Sequence, residues 1–189
     1  MSLSNSKKQR RNSLRLKGYD YSQPGAYFVT TVTWQREMLF GKVVNGEMAL
    51  NEMGKIVQRW WYQIPKHFPN IELGAFVIMP NHVHGIIIIT AGRGAVSAPD
   101  EGLQIQQQGE TTSPLHRKNP TLGQIVAYFK YQSTKEMNAL DGTGEITKFW
   151  QRNYHDRIIR NEGEMARIWD YIEANPANWD DDDENPRNW

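Results

Sequence analysis

The stretch Ala75-Phe76-Val77-Ile78-Met79-Pro80-Asn81-His82-Val83-His84-Gly85-Ile86-Ile87-Ile88-Ile89-Thr90 sets the architecture. Proline cannot donate to a central ladder, so Met79-Pro80-Asn81 reads as a turn between two strands, at residues 71–77 and 82–90. Successive side chains on a strand point to opposite faces, so His82 and His84 share one face and Val83 is buried behind them. Neutral imidazoles so placed form half of a divalent-metal site. The pair begins a strand beside a turn, where a site is expected to meet solvent.

Working outward, residues 26–34 are aromatic and β-branched and read as a strand. Asn45-Gly46 accepts φ > 0 at both positions and predicts a tight hairpin. Asn51 can cap a helix whose Met53, Ile56, Val57, Trp60, Trp61 and Ile64 recur at three- and four-residue spacing. Residues 91–118 are poor in large apolar side chains and rich in Gly, Gln and Pro, an insertion expected to be flexible. Pro120-Thr121 then opens a helix carrying Leu122, Ile125, Val126, Phe129 and Met137, which breaks at Gly142 and Gly144. A further strand is expected through Phe149-Trp150 and Tyr154 to Ile159. The last helix, from about Glu162, buries Met165, Ile168, Trp169 and Ile172. It should end near Asn175, because Pro176 disfavours helical geometry in the residue before it. Strands and helices interleave without a βαβ repeat, which predicts an α+β fold with an antiparallel sheet packed against helices.

The 189 residues carry a net charge of +1 that hides an asymmetry. Lys7, Lys8, Arg10, Arg11, Arg15 and Lys17 crowd the start, while Asp180, Asp181, Asp182, Asp183 and Glu184 crowd the end. A basic arm suits a polyanionic partner, although composition alone also fits two solvated, mobile tails. With no cysteine, disulfide and thiolate-metal chemistry are excluded. The first residues lack a signal-peptide core, and no run approaches the roughly 20 apolar residues that span a bilayer. A soluble, cytoplasmic protein without membrane partners is expected.

Two histidines are too few for a metal site, and the last helix offers a third ligand and a nucleophile together. Tyr171 and Asn175 are four apart, hence on one side of the helix, at the flank of its apolar stripe. A rival pair with the same spacing is Tyr128 and Gln132 on the preceding helix, where Ile125 and Phe129 favour a packing role for the tyrosine.

Asn81-His82-Val83-His84 followed by a late Tyr171-x-x-x-Asn175-Pro176 resembles the HUH single-strand nucleases, in particular the REP-associated tyrosine transposases and the related small insertion-sequence transposases. The resemblance runs from about Tyr19 to Trp179. It includes the 27–34 strand, Phe149-Trp150-Gln151-Arg152-Asn153-Tyr154, Ile158-Ile159-Arg160-Asn161 and the Tyr171 helix. It implies a ferredoxin-like HUH nuclease domain at 19–179, preceded by a basic arm at 1–18 and followed by an acidic tail at 180–189. It further implies that His82, His84 and Asn175 hold Mg²⁺ or Mn²⁺ while Tyr171 attacks a phosphodiester of single-stranded DNA, leaving a 5′-phosphotyrosyl link. Related insertion-sequence enzymes carry Tyr-x-x-x-Gln, which keeps Tyr128 and Gln132 as the alternative. Hairpins of palindromic repeat elements are the implied partner, bound by a monomer or homodimer associated with the nucleoid. Lys7, Lys8, Arg10, Arg11, Lys130, Lys135, Arg152 and Arg160 are candidate phosphate contacts, and Trp60, Trp61, Trp150 and Trp169 read as core. The position of Arg157 is often histidine in the family.

Two alternatives come from other classes. A histidine-triad nucleotide hydrolase needs a third alternate histidine, where this chain has Ile86. A hairpin-binding or regulatory protein could keep the scaffold without chemistry.

Overall fold

A computed structural model of the protein describes residues 16, 18–91, 119–142, 144 and 146–188. The basic cluster Lys7, Lys8, Arg10 and Arg11 and nearly all of the 91–118 insertion lie outside the described residues.

Four antiparallel strands form the main sheet, in the order β4 (Ile71–Ile78), β5 (His82–Ile89), β1 (Gly25–Val32), β6 (His155–Ile159). The helices are α1 (Glu52–Tyr62), α2 (Ile64–His67), α3 (Leu122–Asp141) and α4 (Glu162–Ala174). The protein is thus α+β, with an antiparallel sheet packed against helices. A separate hairpin, β2 (Gly41–Val44) and β3 (Glu47–Leu50), turns on Asn45 and Gly46 at φ 52° and 77°. Those left-handed angles give the turn the twist of its strands.

The sheet separates two clusters by the parity of its strands. Tyr27, Val29, Val83, Ile87 and Ile89 face α1 and α3 and pack with Ile56, Val57, Trp61, Ile125, Val126 and Phe129. Ala26, Phe28, Ile86 and Ile88 face the other way and pack with Ile168 and Ile172 of α4. A bulge between Leu73 and Phe76 reverses the parity of β4, so that Phe76 lies flat on Trp61 with ring centroids 4.6 Å apart. Gly85 makes room for α1: a Cβ there would stand 2.3 Å from the Trp61 ring.

Local signals fix the helix starts. Asn51 and Asn161 accept from Gly54 N and Glu164 N, and Thr121 forms a reciprocal capping box with Gln124. Gly142, at φ 65°, closes α3. No helix among the described residues is long and apolar enough to cross a membrane.

Three expectations need correction. The strand expected from Phe149 to Ile159 is interrupted: only 155–159 joins the ladder, and Trp150 makes one isolated bridge to Thr33. The Gln151 and Asn153 carbonyls accept from Lys130 Nζ at 2.6 and 3.1 Å, a partner outside the sheet that lets this segment leave it. The last helix does end near Asn175, with Ala174 its last residue and Asn175 its C-cap, but not for the expected reason: Asn175 precedes proline yet keeps helical angles, φ −58° and ψ −42°. The steric preference yields because the winding continues as a turn, with Asn178 N bonded to the Ala174 and Asn175 carbonyls. Finally, residues 180–188 are not a solvated tail. Asp182 and Asn185 are buried, and two 3₁₀ turns, Trp179–Asp181 and Pro186–Asn188, fold the segment back onto the domain.

Candidate active site

His82 and His84 leave β5 on the face opposite α1 and α3. Their Nε2 atoms converge to 3.0 Å, and the Tyr171 hydroxyl lies 3.1 Å from His84 Nε2. Helix α4, seated by Ile168 and Ile172 on Ile86, carries Tyr171 to this point, and Asn175 follows one turn later, also buried. Phe28 braces both partners, stacked on His84 at 5.3 Å and edge-on to Tyr171 at 6.0 Å.

A second layer fixes the imidazoles. Asn81 donates through Nδ2 to the Arg36 and Glu184 carbonyls, so its Oδ1 accepts from His82 Nδ1 at 2.9 Å. With the proton held on Nδ1, His82 Nε2 keeps its lone pair for the site. His84 Nδ1 is paired with Thr30 Oγ1 at 2.8 Å. Gln35 and Arg36, both left-handed at φ 53° and 58°, turn the chain so that the Arg36 guanidinium meets Glu184 at 2.7 Å.

In the sequence Asp182 is one of a run of acids, 180–184, with nothing to distinguish it from its neighbours. Its carboxylate lies 3.9 Å from His82 Nε2 and accepts from Asn175 Nδ2 at 3.2 Å and from Glu184 N at 2.7 Å. His82, His84 and Asp182 offer ligand atoms within 4.8 Å of one another, all buried. The available signal was the repeat Asn175-Pro176-Ala177-Asn178-Trp179 and Asn185-Pro186-Arg187-Asn188-Trp189, whose copies bracket Asp182. Asn185 donates to the Trp179 carbonyl at 2.9 Å, and Asn188 donates to the Asp180 and Asp182 carbonyls at 2.8 and 2.9 Å. These bonds lock the loop that presents the carboxylate.

The site is not open at the histidines, contrary to the expectation from their place beside a turn. His82 is 0% exposed and His84 4%, under Trp179 and the 182–184 loop, whereas Tyr171 is 47% exposed. Burial, helped by the Arg36 charge, pushes His82 down to about 3. Burial and His82 hold His84 well below the ordinary histidine range, against the pull of Asp182. Both rings are therefore neutral, the form in which imidazole binds metal. Burial and the Asp182 carboxylate push the Tyr171 phenol up to about 12; Asp183 and Glu184 add to the rise, and the Asn175 carboxamide opposes it.

The donor set fits a divalent cation. Two nitrogens each about 2.1 Å from one cation, at right angles to each other, lie about 3.0 Å apart, as the two Nε2 atoms do. Asn175 Oδ1 is buried with no hydrogen-bond partner. A buried carbonyl oxygen without a donor is costly in an apo site and useful in a metal site.

The other candidate residues lie elsewhere. Tyr128 stacks on His67 at 4.0 Å and packs edge-on against Trp60 and Phe68, across the sheet from the histidines, with Gln132 one turn along α3. Lys130 is half-buried and donates to the Gln151 and Asn153 carbonyls, and its burial lowers it to about 8. Arg152 and Arg160 are exposed, and Arg152 lines a cleft of about 460 Å³ between α3 and residues 148–154. Trp61 and Trp150 are core, while Trp169 is 40% exposed and donates to Glu173.

The fold is that of a REP-associated tyrosine transposase. A solved structure of such an enzyme bound to a REP hairpin superposes with a TM-score of 0.55 at 18% identity, over 87% of this chain and 73% of that one. No family model matches the sequence. An uncharacterized protein of Haemophilus influenzae is 40% identical over 173 residues, 91% of each chain, and this protein belongs to the same family.

Proposed function

We propose that the protein is a divalent-metal-dependent nuclease and strand transferase of single-stranded DNA, a transposase in which Tyr171 is the nucleophile. One observation carries this reading: the Tyr171 hydroxyl, the paired Nε2 atoms of two neutral histidines and the Asp182 carboxylate meet in one cluster, with the Asn175 carboxamide bonded to that carboxylate. His82, His84 and Asn175 hold Mg²⁺ or Mn²⁺, and Asp182 is a further oxygen donor. The bound cation supplies Lewis-acid neutralisation of the scissile phosphate and a positive charge that favours the phenolate.

The residues of the chain do the rest. Phe28 and His84 orient the Tyr171 ring, and α4 brings its hydroxyl in beside the ligand atoms. The phenol oxygen attacks phosphorus, its proton passes to solvent, and the bond to the 3′ oxygen breaks. That oxygen takes a proton, giving a free 3′-OH and a 5′-phosphotyrosyl ester. The ester bond is exchanged rather than hydrolysed, so the strand can be rejoined to another end without ATP. The catalytic unit runs over 19–179, and the 180–188 segment contributes Asp182. The solved neighbour's REP hairpin supports palindromic DNA hairpins as the partner, met in the cytoplasm. The closed histidine side of the site favours a second reading, in which the scaffold binds hairpins without cutting them.

Incubation of wild type and Tyr171→Phe with labelled single-stranded hairpin oligonucleotides and Mn²⁺, followed by a denaturing gel, separates the two. Label migrating with wild type alone supports the nuclease. Binding without an adduct from either protein supports the binding protein. An adduct that persists in Tyr171→Phe and disappears in Tyr128→Phe moves the nucleophile to α3.

A further inference from the structure

Because Trp179 and the 182–184 loop cover the histidines, DNA must reach Tyr171 from its exposed side. There a groove of about 480 Å³ runs between α4 and the sheet, a size that admits a nucleotide. It is lined by the buried Ile168 and partly buried Phe28, by Tyr171, and by the exposed Arg157 and Arg167. The arrangement follows from register. Arg157, on edge strand β6, lies directly across from Phe28, and Arg167 lies one helical turn before Tyr171 on the same side of α4.

The groove has an excess of positive charge. Its one carboxylate, Glu164, already accepts from Arg157 Nε at 2.7 Å and from Arg160 N at 3.0 Å, and pairs with Arg157 Nη2 at 2.7 Å. A guanidinium carries five N–H donors, so Arg157, with a side chain 66% exposed, retains donors that face outward. Two arginines beside an aromatic and aliphatic lining suit a phosphodiester backbone with an unpaired base laid against the lining.

We infer that this groove seats the unpaired strand next to the scissile phosphate, with Arg157 and Arg167 on two backbone phosphates and the base against Phe28. The inference rests on the proposed reading of Tyr171 as the nucleophile of a single-strand nuclease, but it is a claim about binding and is tested without cleavage.

The probe is a fluorescent oligothymidylate of about twelve nucleotides, since phosphate contacts carry no sequence requirement. Its affinity for the full chain is followed by anisotropy against salt. Two lost contacts to a single strand lower the slope of log K on log [salt] by about 1.4, and one by about 0.7. Arg157→Gln with Arg167→Gln should show the first change, the exposed Arg167→Gln alone the second, and Arg167→Lys should restore the slope. The same oligonucleotide bearing 5-iodouracil should photo-crosslink to the peptide holding Phe28 or Tyr171. An unchanged slope, or crosslinks that map only elsewhere, overturns the groove assignment. An adduct on wild type with an unchanged slope rejects the groove and keeps the nuclease. A changed slope and mapped crosslink without any adduct keep the groove as a binding site and reject the nuclease. Absence of binding to the oligothymidylate rejects the groove, and the nuclease then stands or falls on the adduct with the hairpin oligonucleotides.

Discussion

The side-chain oxygen of Asn81 accepts the Nδ1 proton of its chain neighbour His82 at 2.9 Å, while its amide nitrogen reaches the Arg36 and Glu184 carbonyls at 3.3 and 2.7 Å. One carboxamide thus sets a tautomer and pins two distant segments. Asn81→Ala leaves a buried imidazole N–H and two carbonyls unpaired. We expect a loss of about 1–3 kcal/mol in stability by urea denaturation, and a 10–100-fold weaker Mn²⁺ affinity in an EPR titration. Wild-type metal affinity in this variant would remove the tautomer argument.

Acid should destabilise the metal-free protein through the same pair. The folded pKa of His82 is down to about 3 and that of His84 is also low, whereas unfolded histidine titrates near 6.5. Below pH 6.5 the unfolded chain therefore binds more protons than the folded one, and stability falls with pH. Between pH 6.5 and 5, above most carboxylate titration, each ring contributes up to about 2 kcal/mol of that loss. In chelator, His82→Gln with His84→Gln should flatten stability across this window. An equal slope in wild type and variant would mean that the rings are solvated.

Metal should stabilise the fold. Mn²⁺ at a hundredfold excess over its dissociation constant adds about 2.7 kcal/mol to unfolding, seen as a rise in Tm that EDTA reverses. His82→Ala with His84→Ala should abolish the rise. Asp182→Asn keeps the shape and removes the charge, and should weaken Mn²⁺ tenfold or more, about 1.4 kcal/mol. Unaltered Mn²⁺ binding by that variant would leave Asp182 a packing residue.

Gly85 lies between the site and the core. A Cβ at this position would stand 2.3 Å from the Trp61 ring, so α1 must move or β5 must bend. Gly85→Ala should lower stability by roughly 1–3 kcal/mol or more, measured by thermal melting. The paired variant Gly85→Ala with Trp61→Phe should recover part of that loss. A melt equal to wild type for Gly85→Ala alone would show that α1 is free to shift.

Much of this was legible because local chemistry and long-range packing agree. The alternation of His82, Val83 and His84, the Asn45-Gly46 turn, and the Asn51 and Thr121 caps each follow from a few residues and survive in the fold. The corrected features depend on distant partners. Nothing near Gln151 announces that Lys130 will satisfy its carbonyl, and nothing near Leu73 announces a bulge. Asp182 was hidden for a related reason. A run of acids reads as a solvated surface, and it enters the site only because the turn after Asn175 and the bonds from Asn185 and Asn188 fold it inward.

The parity of β5 carries a consequence for how such a chain can change. Even positions hold His82 and His84 toward Tyr171, and odd positions hold Val83, Ile87 and Ile89 in the core. Loss or gain of a single codon within this strand would shift every following side chain to the other face, setting an imidazole against Trp61 and Phe129 and an isoleucine beneath the tyrosine. Substitutions here can be tried one at a time. Gaps cannot, so descendants of this gene should keep the spacing from Asn81 to Ile89 even where the residues themselves drift.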